Sequence, residues 1–165
     1  REILGREAGA PPPVDLAVER RAGDLIRGLI QAGHLRTVHD LSDGGLIAAA
    51  AEMALASKVG LALNNPGETA DHGFFFGEDQ ARYLVAVAHD DLEALDAAAE
   101  AAGVPYAIVG QAGGEEISLN GAGGFIAAVD LEELERRTAS CGARVLVPGD
   151  EAWPGGRRPG AGWRA

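Results

Sequence analysis

An α+β domain, with a mixed β-sheet flanked by helices in α/β/α layers, is predicted by three features of the chain. Short apolar runs alternate with segments of helical period, the order expected of layered domains that pack helices on a sheet. Glycine-rich or polar turns separate these runs at most junctions. The 165 residues, 47% of them hydrophobic, suffice for one core of ordinary size, which predicts one domain and a tail.

Residues 1–14 end in Ala10-Pro11-Pro12-Pro13-Val14 and read as an extended lead-in or linker, because each proline fixes its own φ and biases its predecessor away from α. The domain itself is placed at 15–140. Asp15 opens a helix with Ala22, Leu25, Ile26, Leu29 and Ile30 on one face and Gly33 as its stop. Residues 36–39 read as a strand. Residues 46–57 read as a helix that Ser42 or Asp43 caps; it is Ala and Leu on nearly every side, with Glu52 its only charge, so it should be buried.

Residues 59–63 form the next strand, and Asn64-Asn65-Pro66-Gly67 a turn. Residues 74–82 lead into 83–88, apolar on both faces and therefore expected as the central strand. Asp90 or Asp91 caps a helix carrying Leu92, Leu95, Ala98, Ala99 and Ala102. Residues 104–109 return as a strand, completing a strand-helix-strand unit. Gly113-Gly114 turns into a short strand at 115–119. A glycine-rich turn at 121–124, an apolar run at 125–129 and a charged helix from Asp130 follow. Residues 141–165 are rich in Gly, Pro and Arg, lack periodicity and read as a disordered tail.

The formal charge of −11 argues against a nucleic-acid surface, which needs clustered Lys and Arg. No apolar run approaches a membrane span, and residues 1–9 lack the order of a secretory signal. The single cysteine, Cys141, forms no internal disulfide and has no neighbouring thiols for zinc, which fits a reducing cytoplasm. The chain opens on Arg1, and its 14 basic residues include one lysine, Lys58; it reads as a piece of a longer protein from a GC-rich genome.

The stretch His39-Asp40-Leu41-Ser42-Asp43-Gly44-Gly45 lies between a predicted strand and a predicted helix, where open α/β sheets commonly bind ligands. Two glycines at a helix start let an anion approach unpaired N–H groups, so Ser42, Asp43, Gly44 and Gly45 are the expected phosphate or nucleotide contacts. The same residues are ordinary capping and turn chemistry, and both readings stay open. Asp40, with Asp43, is a weak candidate for magnesium. His39 at a strand end is read chiefly as structural support. Glu78 and Arg82, four apart, form an internal ion pair if their segment is helical; alternatively Arg82 turns into the cleft and binds a phosphate bidentately. His34, His72 and His89 are scattered, and neither a P-loop nor a dinucleotide fingerprint occurs.

Three motifs in order, Val38-His39-Asp40-Leu41-Ser42-Asp43-Gly44-Gly45-Leu46, Ala51-Glu52-Met53-Ala54 and Phe76-Gly77-Glu78-Asp79-Gln80-Ala81-Arg82-Tyr83, together with the Arg1–Asp15 lead-in, give a specific resemblance. From about Arg1 to Arg137 the chain resembles the C-terminal end of the large subunit of phosphoribosylformylglycinamidine synthases, within the aminoimidazole-ribonucleotide-synthetase-like superfamily. The resemblance implies a PurM C-terminal-domain-like, partly ferredoxin-like fold. It implies an ATP- and Mg2+-dependent ligase that amidates formylglycinamide ribonucleotide through an iminophosphate, with ammonia from glutamine. The implied partners are the remainder of the large subunit, a glutaminase subunit and a small bridging subunit. It also implies that most ATP, Mg2+ and substrate ligands lie outside this chain, which would be inactive alone, and that Ser42–Gly45 closes one side of a nucleotide cleft. Such families end on a helix with a histidine-glutamate-tryptophan-like segment; here Arg136-Arg137-Thr138-Ala139-Ser140-Cys141 runs into the arginine-glycine tail, as a frame change or a diverged end would produce. A selenophosphate-synthetase or thiamine-phosphate-kinase type of enzyme, and a non-catalytic docking domain, are the alternatives.

Overall fold

A computed structural model of the chain describes residues 14–140. The expected lead-in, apart from Val14, and the expected tail lie outside the described residues. Five helices and six strands follow in the order α1 (Leu16–Gln31), β1 (Thr37–Asp40), α2 (Gly45–Ser57), β2 (Leu61–Asn64), α3 (Asp71–Phe76), β3 (Tyr83–Ala86), α4 (Leu92–Ala102), β4 (Gly110–Ala112), β5 (Glu116–Gly121), β6 (Gly124–Asp130) and α5 (Leu131–Ser140). The strands form a two-stranded antiparallel ribbon, β1-β3, and a four-stranded sheet in the order β4-β2-β5-β6. The larger sheet is mixed, since β2 runs parallel to β5 and antiparallel to β4. The α+β class and its mixed sheet are as the sequence predicts.

The layers follow from the side chains. Asp15 caps α1 through hydrogen bonds from the amides of Ala17 and Val18, and α1 then presents Leu25, Ile26 and Leu29 to Val38 and Val85 of the ribbon, with Leu35 and Leu95 completing that core. The other face of the ribbon, through Leu84, meets Leu46 and Ala50 of α2 and Phe75 of α3. The same cluster continues onto Leu63 of β2 and Leu119 of β5, so α2 is the element that joins the ribbon to the sheet. Ala54 packs beyond it against Ile117 of β5 and Leu131 of α5.

Four local expectations are corrected. The strand β3 is not central: it pairs with β1 alone, and its apolar character on both faces reflects helices above and below it. Residues 104–109 form no strand. Pro105 removes an amide, and pairing falls to Gly110–Ala112, where a Cβ on Gly110 would lie 2.0 Å from the carbonyl oxygen of Ala62. The segment 74–82, expected only to lead into β3, begins inside a six-residue helix, α3, which starts at Asp71. Neither Asp90 nor Asp91 caps α4 with its side chain; a 3-10 turn at His89–Asp91 precedes the helix, and Asp91 Oδ1 lies 3.1 Å from His34 Nδ1.

One polar knot ties the β2–α3 turn to the β5–β6 hairpin. Asn65 is buried; its Nδ2 donates to the Thr69 carbonyl at 2.8 Å and to Asp71 Oδ1 at 2.7 Å, while its Oδ1 accepts from the Gly67 amide at 3.0 Å. Asp71 also accepts from the Ala122 amide at 3.0 Å. The hydrogen bonds from Asn65 and Ala122 hold its carboxyl below the usual carboxylate range. Replacing Asn65 by Ala leaves these groups short of partners in a closed site. The Asn65→Ala variant is expected to lose about 2–3 kcal/mol in denaturant unfolding. A loss within experimental error would show the knot to be incidental.

Candidate functional site

The turn between β1 and α2 is built by its glycines. Gly44 has φ +84 and Gly45 φ +66, a left-handed backbone that side chains other than glycine adopt at a cost. Space makes the same demand: a Cβ on Gly45 would lie 2.7 Å from the Gly77 carbonyl oxygen and from the Phe76 carbonyl carbon, and one on Gly44 would lie 2.7 Å from Ala48 Cβ. The start of α2 therefore rests directly on the main chain where α3 ends.

The cap of this helix comes from far along the chain. Gly44 is the N-cap residue and has no side chain to offer. Its amide instead donates to Glu78 Oε1 at 2.8 Å, and the Gly45 amide closes on the Ser42 carbonyl at 2.9 Å. A carboxylate at a helix N-terminus meets the positive end of the dipole, so Glu78 sits where an anion is favoured. The amides of Leu46 and Ile47, in the first turn, have no helical acceptor of their own.

Behind the turn lies a recess of about 250 Å³ lined by His39, Asp40, Ser42, Asp43, Gly45, Ala48, Ala49 and Glu52. His39 spans its floor. Its Nδ1 lies 2.6 Å from the Asp40 carbonyl oxygen and its Nε2 2.8 Å from Glu52 Oε2. Burial works to lower the imidazole pKa, but the Asp40 carbonyl and the Glu52 carboxylate outweigh it and leave the pKa above the ordinary histidine value. Among the described residues, no group of three or more His, Cys, Asp or Glu side chains is arranged to hold a metal ion. The recess thus holds one imidazole, both of whose ring nitrogens are already engaged, and Asp40 stands without the companions a cation would need.

The model of the family described as AIR synthase related protein, C-terminal domain, matches residues 1–122. This chain belongs to that family. It is 58% identical over 121 residues to the phosphoribosylformylglycinamidine synthase subunit PurL of Rhodospirillum rubrum, covering 73% of this chain and 16% of that protein. Against the subunit of the same name from Rhodopseudomonas palustris it is 52% identical over 135 residues, covering 81% of this chain and 18% of that protein. The chain thus spans less than a fifth of the length of these relatives. Thermotoga maritima PurL has the same fold at 15% identity: the structure complexed with FGAR matches with a TM-score of 0.69 over 94% of this chain and 26% of that chain, and the one complexed with ATP with 0.65 over 73% and 22%. The PurLQS structure from the same organism matches at 14% identity, with a TM-score of 0.65 over 96% of this chain and 26% of that chain.

Within this AIR synthase related domain the expected site residues divide into two groups. Ser42, Asp43, Gly45, Asp40 and His39 share the recess. Neither Ser42 nor Asp43 caps α2 by its side chain, because Gly44 occupies the cap and Glu78 supplies the carboxylate. Glu78 and Arg82 do not pair. Gly77 is extended and Ala81 has φ +64, so no helical turn brings positions four apart together. The Arg82 guanidinium instead reaches the Gly77 carbonyl at 3.3 Å and Asp79 Oδ2 at 3.4 Å, outside the recess, while its main-chain carbonyl accepts from the Leu41 amide at 3.0 Å. Glu52 is the participant that the sequence reading passed over. Its signal was there, as the one charge on α2 and on the face shared by Gly45, Ala48 and Ala49.

Gly45→Ala adds a Cβ against backbone in a left-handed conformation, and a loss of about 2–3 kcal/mol is expected in thermal or denaturant unfolding. Full retention of stability would mean that α2 and α3 can part at little cost. For His39, the raised folded pKa means a stabilising contribution fully present below the ordinary value near 6.5 and lost as pH rises through the folded value. The stability difference between the native chain and His39→Asn should therefore shrink between pH 5.5 and pH 8.5; a constant difference would contradict it.

Proposed function

We propose that this chain is the C-terminal domain of the large subunit of a phosphoribosylformylglycinamidine synthase and that its β1–α2 turn forms one wall of a nucleotide cleft. The whole enzyme would convert formylglycinamide ribonucleotide to formylglycinamidine ribonucleotide in purine biosynthesis, using ATP and glutamine-derived ammonia. The observation that carries this reading is the 58% identity over 121 residues to a relative of that name. At this level the recess and the glycine turn are expected to be shared features of the relatives, not peculiarities of this chain.

The chemistry available here is binding. The Ser42 hydroxyl and the His39 imidazole line a space large enough for a phosphate group beside the start of α2, while among the described residues no metal cluster is assembled around it. Mg2+ finds no fitting donor set among the described residues, and its ligands are assigned to the parts of the enzyme outside this chain. Gly44 and Gly45 serve the conformation first, and any ligand contact they make is through the main chain. Arg82 would join the ligand only by leaving Asp79.

A second reading, a docking domain without ligand contact, draws on the open cleft of about 760 Å³ between the ribbon and the segment 104–112, whose lining is mostly apolar and includes Leu25, Tyr83, Tyr106 and Ile108. Both roles fit a domain that packs on the remainder of the same subunit, with a glutaminase subunit and a small bridging subunit as further partners of the assembly. The proposed setting is cytoplasmic; among the described residues no helix is long and apolar enough to cross a membrane.

The test is calorimetric titration of ATP, ADP and formylglycinamide ribonucleotide, with magnesium, into this chain alone and into the complete large subunit. Binding to the complete subunit that weakens about tenfold in Ser42→Ala, at unchanged melting temperature, is the expected outcome. Binding indifferent to that substitution would leave the domain a structural partner.

A further inference from the structure

We infer that His39 is a positioning residue: its imidazolium ties the end of β1 to the second turn of α2 through Glu52 and so fixes the Ser42–Gly45 turn in the form that receives an anionic ligand. This deepens the reading above and rests on it for the identity of the ligand. The argument starts from donors and acceptors. The Asp40 carbonyl oxygen at 2.6 Å can only accept, and the Glu52 carboxylate at 2.8 Å accepts when ionised. Both ring nitrogens must then donate. A histidine that donates from both is the cation, so the geometry fixes its charge as well as its orientation.

The two bonds run across the base of the turn. One stem ends at residues 39 and 40; the other begins at Gly45 and carries Glu52 one face-repeat later. Between them the amides of the turn make three bonds: Leu41 amide to Arg82 carbonyl, Gly45 amide to Ser42 carbonyl, and Gly44 amide to Glu78. The Ser42 and Asp43 side chains make no hydrogen bond among the described residues and are exposed, so nothing of their own secures them. Loss of the His39 bridge would free β1 and α2 to separate at the mouth of the recess while both cores remain packed.

Charge supports the same role. The groups facing His39 are Glu52 from α2, Asp40 with Oδ1 at 3.9 Å, and Asp43 across the recess. No Lys or Arg lines that space, so the imidazolium is the one cation among its lining residues. Without it three carboxylates would face any incoming phosphate.

Two measurements test the inference, and they fail separately. In the 165-residue chain, nitrogen-15 NMR of the imidazole at pH 6, below the ordinary histidine value, should show both Nδ1 and Nε2 of His39 protonated, with the Gly44 and Gly45 amide resonances shifting in Glu52→Ala but returning in Glu52→Gln, whose amide oxygen still accepts from Nε2. A neutral single tautomer, or glycine amides indifferent to both variants, overturns the bridge whatever the ligand is. In the full-length enzyme, Glu52→Ala and His39→Asn should raise the KM of the phosphate-bearing substrate or of ATP about tenfold, with kcat within about twofold, and Glu52→Gln should restore it. Equal damage from Glu52→Gln and Glu52→Ala, or a loss that only tracks melting temperature, overturns the positioning role. Intact NMR behaviour with no effect on any KM refutes the ligand role of the turn and leaves the bridge structural.

Discussion

The contact on which the rest depends is main chain against main chain, where Gly45 meets the end of α3 at Phe76 and Gly77. Because no Cβ intervenes, α2 can start against the backbone of another element. That places Glu78 within reach of the Gly44 amide and brings Arg82, through its carbonyl, beside Leu41. From this fixed start α2 carries Leu46 and Ala50 into the core shared with the ribbon, and Ala54 onto the larger sheet. A helix of Ala and Leu has little orientation preference of its own, so its direction is set at its first residue.

The same junction decides the electrostatics of the candidate site. An internal carboxylate already holds the outermost amide of α2. The recess is acidic apart from one imidazole, so the anion binding proposed there would rely on that single cation rather than on a field of basic residues. A chain with a formal charge of −11 can manage this only where the positive groups are held in place.

Much of the frame was legible because local signals agreed with tertiary ones. Asp15 and the three-four spacing after it gave α1 its start and its buried face, although Ile30 proves half exposed where that face runs past the core. The loop is legible from its two glycines, and His39, Asp40, Ser42, Asp43 and Gly45 line the recess while Leu41 and Gly44 do not. What the sequence hid was long-range. Glu78 caps a helix 34 residues earlier, and no spacing rule connects them. A strand sandwiched by helices reads like a central strand, since burial on both faces looks the same whether neighbours are strands or helices. Residues 104–109 carry strand-forming side chains, but pairing with β2 begins only where the Val109 carbonyl accepts from the Asn64 amide and continues through Gly110–Ala112.

The parallel pairing of β2 with β5 joins residues 61–64 to residues 117–120, whereas the ribbon with α1 and α4 is complete within residues 16–102. During synthesis from the N-terminus the ribbon half can therefore close while β2 still waits for its parallel partner. In that interval the edge of β2 that β5 will cover presents unpaired main-chain groups, open to association with other chains. The antiparallel hairpin β5–β6, formed locally across Ala122 and Gly123, is what ends the wait, because it delivers β5 as a ready-made edge. The order of assembly, and the window in which this domain is most prone to aggregate, are thus written in which strand its helix-joined sheet places beside β2.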